Sequence, residues 1–248
     1  MQDENPPTKW DEETSQRFLD YGKYFVPQRE EQMSIIVKLL EGLPQPSSIL
    51  ELCCGEGWLA ELILKELPWT TILGMDGSQV MLGKARNRLK KYEGRYQLNK
   101  FDLADLSWRK LDQPLQAVVS MLAIHHLDGL GKQELFQAVH GMLSVGGAFI
   151  IADMVEPANP SGRGIAAEVW DEIVRQRALQ LDGNTAGSDY FQREGWNTFR
   201  YLDPDDIDHP SRLFDQLKWL EQAGFVDIDV HFFLAGHALF SGWKADRK

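Results

Sequence analysis

Short apolar runs alternate with longer amphipathic stretches between residues 48 and 155 of the chain. The short runs have the length of buried strands, and the longer stretches have the period of helices that begin near Trp58, Gln79 and Lys132. Strands that alternate with helices in this way indicate a parallel α/β sheet. The five predicted strands are SILELC (48–53), TILGMD (71–76), YQLNKFD (96–102), AVVSML (117–122) and AFIIADM (148–154).

Regions of different character flank this alternation. Two amphipathic helices precede it, one starting near Ser15 and ending before Pro27 and the next ending at Gly42. Residues 157–210 lose the rhythm and contain one helical stretch, so we predict a lid there. A last helix and two strands joined by a tight turn close the chain, and these strands are DIDVHFFLA (227–235) and HALFSGWK (237–244).

The composition is that of one globular domain, with 248 residues of which 43% are hydrophobic and 25% are charged. Lys and Arg number 26 against 37 Asp and Glu, and the resulting net charge of −11 argues against nucleic acid and membrane surfaces as partners. No apolar run reaches the roughly 20 residues of a membrane span, and the acidic start does not resemble a secretion signal. We therefore expect a cytoplasmic protein in which the adjacent Cys53 and Cys54 are buried thiols.

The strongest chemical signal is the segment ILELCCGEGWLA (49–60), a strand that leads through a glycine loop into a helix. Glycine lets a ligand approach the backbone, and the helix that follows offers free N–H groups. Gly55, Gly57 and Ala60 also have the spacing of the dinucleotide fingerprint, so a nicotinamide-dependent dehydrogenase is an alternative. The short-chain form of that enzyme needs a Tyr-x-x-x-Lys pair after the fifth strand, and none occurs there.

Acidic residues stand at the carboxyl ends of the first three strands, where ligands of open α/β sheets bind. Asp76 is placed to accept both hydroxyls of an adenosine ribose, and Asp102 to accept from an adenine amine while the N–H of Leu103 binds a ring nitrogen. Glu51 can bind the ammonium-bearing end of a ligand. A single Asp at such a position is also a common turn or helix-cap residue, but three acids in this order favour a nucleotide site.

Taken together, these motifs resemble those of the class I S-adenosylmethionine-dependent methyltransferases. ILELCCGEG is similar to the first motif of that family, with Cys53 at its first glycine position. The resemblance covers residues 46–155 and 211–245, and it places the chain in the small-molecule branch. The further segments that carry it are GMDGSQVMLGKAR (74–86), FDLADL (101–106), VVSMLAIHHL (118–127) and LSVGGAFIIAD (143–153).

The resemblance implies a Rossmann-like seven-stranded sheet of order 3-2-1-4-5-7-6, with the last strand antiparallel and helices on both faces. It implies an N-terminal tail with helices over the cofactor site (1–45) and a core (46–156 and 211–248). The helical lid insertion (157–210) lies outside the resemblance and is predicted only from the loss of the strand–helix rhythm. S-adenosylmethionine is the implied cofactor. Its predicted site consists of Glu51, Cys53, Gly55, Gly57, Asp76, Gly77, Met81, Asp102, Leu103, Ser120 and Met121.

The implied reaction is methyl transfer to a small organic molecule, with methylation of tRNA or non-catalytic binding of the cofactor as alternatives. His125 is the predicted general base, because an imidazole with a pKa near 7 can take a proton from the acceptor. We predict no metal site, since Met154 follows Asp153 where metal-dependent relatives have Asp-Asn. The predicted substrate-binding residues, each with an alternative structural role, are Tyr21, Tyr24, His126, Asp153 and Trp170.

Overall fold

The structure is a computed structural model that describes residues 10–45, 47–110, 113–201 and 207–245. Its seven strands are β1 (Ser47–Leu52), β2 (Thr70–Asp76), β3 (Tyr96–Lys100), β4 (Leu115–Met121), β5 (Leu143–Met154), β6 (Phe225–Leu234) and β7 (His237–Lys244). They form one sheet of order β3-β2-β1-β4-β5-β7-β6, in which β7 runs antiparallel to both of its neighbours. The predicted strand order and the antiparallel last strand are confirmed.

Helices cover both faces of the sheet, because successive side chains of each buried strand point to opposite faces. In β1, Leu50 and Leu52 pack into one core and Ile49 into the other. No helix among the described residues combines the length and the apolar character that crossing a membrane requires. The helices are α1 (Glu12–Phe25), α2 (Arg29–Glu41), α3 (Trp58–Glu66), α4 (Gln79–Leu89), α5 (Gly129–Met142), α6 (Pro160–Asp182), α7 (Ala186–Arg193) and α8 (Leu213–Ala223).

Two predicted helix starts are wrong by about one turn, and capping explains both. α1 begins at Glu12, because the Asp11 carboxylate accepts a hydrogen bond from the backbone N–H of Thr14. α5 begins at Gly129 rather than Lys132, because Asp128 caps it in the same way. In both cases the cap lies four residues, about one helical turn, before the predicted start.

The N-terminal helix packs against the inserted helices above the carboxyl ends of the strands. α1, α6 and α7 share a third hydrophobic core, in which the indole N–H of Trp170 donates to the carbonyl oxygen of Phe25 at 2.7 Å. On its other side, Glu12 accepts from the hydroxyl of Ser78 and the backbone N–H of Gln79, which ties α1 to the start of α4. Residues 1–9 of the predicted tail, residue 46, residues 202–206 of the predicted lid and residues 246–248 lie outside the described residues.

Candidate functional site

A cavity of about 870 Å³ opens at the carboxyl ends of β1 to β5, beneath α1, α6 and α7. It has two halves, which differ in their lining. The half around the glycine loop is lined by Glu51, Cys53, Gly55, Asp76, Gly77, Met81, Asp102, Leu103 and Met121. The half beneath the inserted helices is lined by Phe25, His125, His126, Trp170, Phe191, Trp196 and His237.

Glu51 supplies a buried acceptor at the floor of the first half. Its carboxylate is buried, and within the described part of the chain its Oε2 atom has no hydrogen-bond partner. Burial, with repulsion from Asp76, raises the pKa of Glu51 to about 8. A buried oxygen without a donor fits a ligand that brings its own N–H group, such as an ammonium.

Asp76, the last residue of β2, holds the glycine loop in place. Its Oδ2 atom accepts from the backbone N–H of Gly55, and its Oδ1 atom from that of Ser78, both at 2.8 Å. Gly55 has a φ of 54°, and a Cβ atom there would meet nothing within 4 Å, so the loop leaves room for a ligand. Each oxygen of Asp76 keeps a second lone pair for a ligand hydroxyl.

The remaining acid of the predicted nucleotide site lies further along the sheet edge. Asp102 is exposed at the rim of the cavity, where its Oδ1 atom accepts from the backbone N–H of Ala104 at 3.0 Å. Leu103 beside it is buried and also lines the cavity. Met81, in the first turn of α4, closes the same end. These residues surround an apolar slot with an acidic rim.

His125 lies in a short 3-10 turn after β4 (Ile124–His126) and is buried. Its Nδ1 atom lies 2.5 Å from Oδ1 of Asp153, and its Nε2 atom lies 3.4 Å from Oδ1 of Asp208. Burial alone lowers the pKa of His125, but attraction to the two carboxylates outweighs it and raises the pKa to about 10. His125 is therefore protonated at neutral pH, and the predicted pKa near 7 is wrong because the sequence does not show the two carboxylates.

His126 shares this cluster and also lines the cavity. Its ring lies 4.1 Å from that of His125, and its Nδ1 atom lies 3.1 Å from Oδ1 of Asp208. Ligand atoms of the three residues lie within 4.8 Å of one another, a spacing that a metal ion also uses. Both ring nitrogens of His125 and the Nδ1 atom of His126 already face a carboxylate here, and the absence of a metal stays a prediction.

His237, the first residue of β7, is a further buried histidine in this half. It pairs with Met154 at the end of β5, and its Nδ1 atom lies 2.9 Å from the carbonyl oxygen of Ala235. Only a protonated Nδ1 can donate to a carbonyl, so Nε2 carries the lone pair when the ring is neutral. Burial lowers the pKa of His237 to about 4, which keeps the ring neutral at physiological pH.

A family model described as a methyltransferase domain matches residues 49–147. Trans-aconitate 2-methyltransferase of Variovorax paradoxus is 28% identical over 148 residues, which are 56% of this chain and 54% of that relative. A carboxy-S-adenosyl-L-methionine synthase of Nautilia profundicola is 20% identical over 243 residues, which are 95% of this chain and 94% of that relative. The solved structure of an O-methyltransferase family protein from Burkholderia thailandensis has a TM-score of 0.65 at 15% identity, covering 96% of this chain and 61% of that one.

The family match covers the glycine loop and the strand ends that carry Asp76 and Asp102. Residues 49–147 therefore form a methyltransferase domain of the class I S-adenosylmethionine-dependent type. The chain's match spans about half (54%) of the trans-aconitate relative and 61% of the solved structure, whose likeness shows a shared fold. S-adenosylmethionine is the cofactor of this family, and the unpartnered oxygen of Glu51 and the open face of Gly55 fit its methionine end.

Two residues predicted for the methyltransferase cofactor site lie behind the lining instead. Gly57 is the N-cap residue of α3, and a Cβ atom there would come within 3.2 Å of the Cβ of Ala85, so this glycine lets α3 and α4 pack closely. Ser120 is buried, and its hydroxyl faces the carbonyl oxygen of Leu52 at 3.5 Å between two strands. Both positions support the site and do not line it.

Three residues predicted to bind the acceptor are likewise absent from the cavity lining. The hydroxyl of Tyr24 binds Asp182, and Tyr21 stacks on the ring of Tyr190 at 3.6 Å, so both tyrosines hold α1 against the inserted helices. Asp153 lies behind His125 and fixes its ring. Of the predicted acceptor residues, His126 and Trp170 do line the cavity.

Arg29, the first residue of α2, lines the cavity and was missed from the sequence. None of the hydrogen bonds or ion pairs between described residues involves its guanidinium, which lies 5.8 Å from the ring centre of Phe18. Burial lowers the pKa of Arg29 to about 10, although Glu56 and Glu30 oppose the shift, so the side chain stays charged at neutral pH. In the sequence, two glutamates follow Arg29, and charged residues of this kind are typical of a solvent-exposed helix start, so the pattern does not mark Arg29 as a binding residue.

Proposed function

We propose that this chain transfers a methyl group from S-adenosylmethionine to a small organic molecule. The observation that carries the proposal is the two-part cavity of about 870 Å³, in which a nucleotide half and an aromatic half are continuous. A cofactor alone needs the first half only. The second half, with three histidines and four large aromatic side chains, offers a place for a second molecule.

The polar groups of the first half match the parts of the cofactor one by one. Glu51 would accept from the methionine ammonium, and Arg29 would donate to the methionine carboxylate. Asp76 would accept from the ribose hydroxyls, while Asp102 and the N–H of Leu103 would bind the adenine edge. When bound, the cofactor supplies an electrophilic methyl group on a sulfonium sulfur, so the protein's part is to position the acceptor and exclude water.

His125 enters this proposal in a changed role. Its imidazolium lies between Asp153 and Asp208. These ion pairs fix the end of β4 beneath the aromatic half of the cavity, which is the proposed acceptor half. If His125 were the general base, it would first have to lose its own proton. Turnover would then rise about tenfold per pH unit towards its pKa of about 10. A profile without that rise assigns proton acceptance to another group.

The proposal is tested with S-adenosylmethionine that carries a deuterated methyl group. The purified protein is incubated with it and a panel of small organic compounds that offer hydroxyl, carboxyl, amino or thiol groups, and mass spectrometry follows the label into product. We expect labelled product from at least one compound, with S-adenosylhomocysteine formed in equal amount. Binding of S-adenosylhomocysteine without any labelled product would favour the non-catalytic alternative. Label transferred to added tRNA instead would favour the nucleic-acid alternative, against which the net charge of −11 argues.

A further inference from the structure

The acceptor half has a continuous aromatic wall that runs from His237 to His126. Five aromatic side chains lie between these two histidines. α6, α7 and the segment after α7 supply three of them, and the N-terminal part of the chain supplies the other two. Such a wall favours a planar ring, which can lie against several aromatic faces or edges at once. Ring-centre distances along it are 4.7 Å (His237–Trp170), 5.2 Å (Trp170–Phe191), 4.9 Å (Phe191–Phe25), 5.0 Å (Phe25–Trp196), 6.5 Å (Trp196–Trp10) and 5.3 Å (Trp10–His126).

One end of this wall presents a lone pair. The Nδ1–H of His237 is used by the carbonyl oxygen of Ala235, and no hydrogen bond between described residues uses Nε2. The side chain is 1% exposed to solvent and lines the cavity, so water reaches it only through the acceptor half. An acceptor nitrogen in this setting selects a ligand that brings an O–H or N–H donor.

The charged groups around His237 leave it neutral. Asp153 on β5 raises its pKa, whereas burial and the charge of His125 on the turn after β4 lower it. From α6 and the segment after α7 it meets the uncharged rings of Trp170 and Phe199. The two buried histidines therefore differ at neutral pH, since His125 holds a proton and His237 is neutral with a lone pair on Nε2.

We propose that the methyl acceptor is an aromatic hydroxyl compound whose ring lies against this wall and whose hydroxyl donates its hydrogen bond, and then its proton, to Nε2 of His237. This inference rests on the proposed methyl transfer. The O–H bond breaks and its proton passes to Nε2, while an oxygen electron pair forms the new bond to the methyl carbon. The electron pair of the carbon–sulfur bond stays on sulfur and yields neutral S-adenosylhomocysteine.

The charged groups around this half of the cavity favour a neutral hydroxyl over an acidic acceptor. Asp208 lines this half and Asp153 lies behind His125, so two carboxylates face the single positive charge of His125, and the remaining negative charge would repel a carboxylate acceptor. An acceptor without a donor hydrogen would leave the lone pair of Nε2 buried and unsatisfied. A hydroxyl meets both conditions, because it is uncharged on entry and donates one hydrogen bond.

The binding step is tested by NMR on protein labelled with ¹⁵N in histidine and saturated with S-adenosylhomocysteine, which has no methyl group to transfer. Phenol is the probe, and anisole is the matched control without an O–H. We expect an unprotonated Nε2 of His237 at pH 7, and a shift of its signal with phenol that anisole does not give. A protonated Nε2, equal shifts with both probes, or no shift with either would overturn the inference. Failure of S-adenosylhomocysteine to bind would instead overturn the proposed function.

The proton step is tested with His237→Gln and His237→Ala on any phenol that the enzyme methylates. Glutamine can accept the hydrogen bond but not the proton, so we expect KM to change by about twofold or less and kcat to fall by about 10² to 10⁴. Alanine should also weaken phenol binding. Unfolding temperature and S-adenosylhomocysteine affinity check that both variants fold. An unchanged kcat in the glutamine variant, or a wild-type rate that rises about tenfold per unit between pH 5 and 8, would contradict the role of His237.

Discussion

Replacing Arg29 by methionine should weaken binding of the cofactor product through one group only. The guanidinium lines the cavity and is paired with no carboxylate among the described residues, so a ligand carboxylate would be its partner. A charge-assisted hydrogen bond contributes about 1.5 to 3 kcal/mol, which corresponds to a loss of roughly 10- to 150-fold in affinity. Methionine keeps most of the apolar stem of the side chain and removes the guanidinium.

The assay is calorimetric titration with two ligands that share the adenosine part. S-adenosylhomocysteine carries the amino-acid carboxylate, and 5′-methylthioadenosine does not. Arg29→Met should weaken the first ligand by the amount above and leave the second within about twofold. Arg177→Met, at a surface arginine that pairs with Glu30, is the matched control and should change neither. Equal losses for both ligands in Arg29→Met would refute the assignment, because they would show a general disturbance of the cavity.

Three further predictions concern the loop, the buried acid and the inserted helices. Cys53 has a φ of 53°, so Cys53→Gly should relieve about 1 kcal/mol of strain and raise the unfolding temperature; a lower temperature would contradict this. As the pH rises from 4.5, the ordinary pKa of Glu51, to its raised pKa of about 8, the free energy of unfolding should fall by up to about 1.4 kcal/mol per pH unit. The reason is that the folded state holds a proton on Glu51 in this range and the unfolded state does not. Glu51→Gln should remove this slope in urea titrations, and an unchanged slope would assign it elsewhere. If residues 157–210 act as a lid, limited proteolysis there should be slower with S-adenosylhomocysteine bound, and equal rates would favour a rigid insertion.

The fold could be predicted because its pattern is local. Each strand from 48 to 154 is a short apolar run, and the acids that mark the carboxyl ends follow those runs directly in the sequence. The first residue of a helix was harder to predict, because an N-cap such as Asp128 precedes the apolar pattern that reveals the helix. The order of the strands came from the resemblance to a known family and not from the pattern.

The acceptor half was largely beyond sequence reasoning, because tertiary contacts create it. His237 enters the cavity only through the antiparallel register that sets it beside Met154. The charge of His125 depends on Asp208, which lies 83 positions later in the chain and is brought to it by the fold. Tyr21 and Tyr24 are aromatic residues of the kind that line binding sites. The packing of α1, however, turns both side chains towards α6 and α7.

Cofactor selectivity is the most direct test of the central claim. Isothermal titration of the purified protein with S-adenosylmethionine, S-adenosylhomocysteine and NAD compares the two families that share a glycine-loop fingerprint. We predict that both sulfur ligands bind with a Kd on the order of micromolar or tighter, and that NAD gives no heat of binding. Binding of NAD with no response to either sulfur ligand would contradict the account.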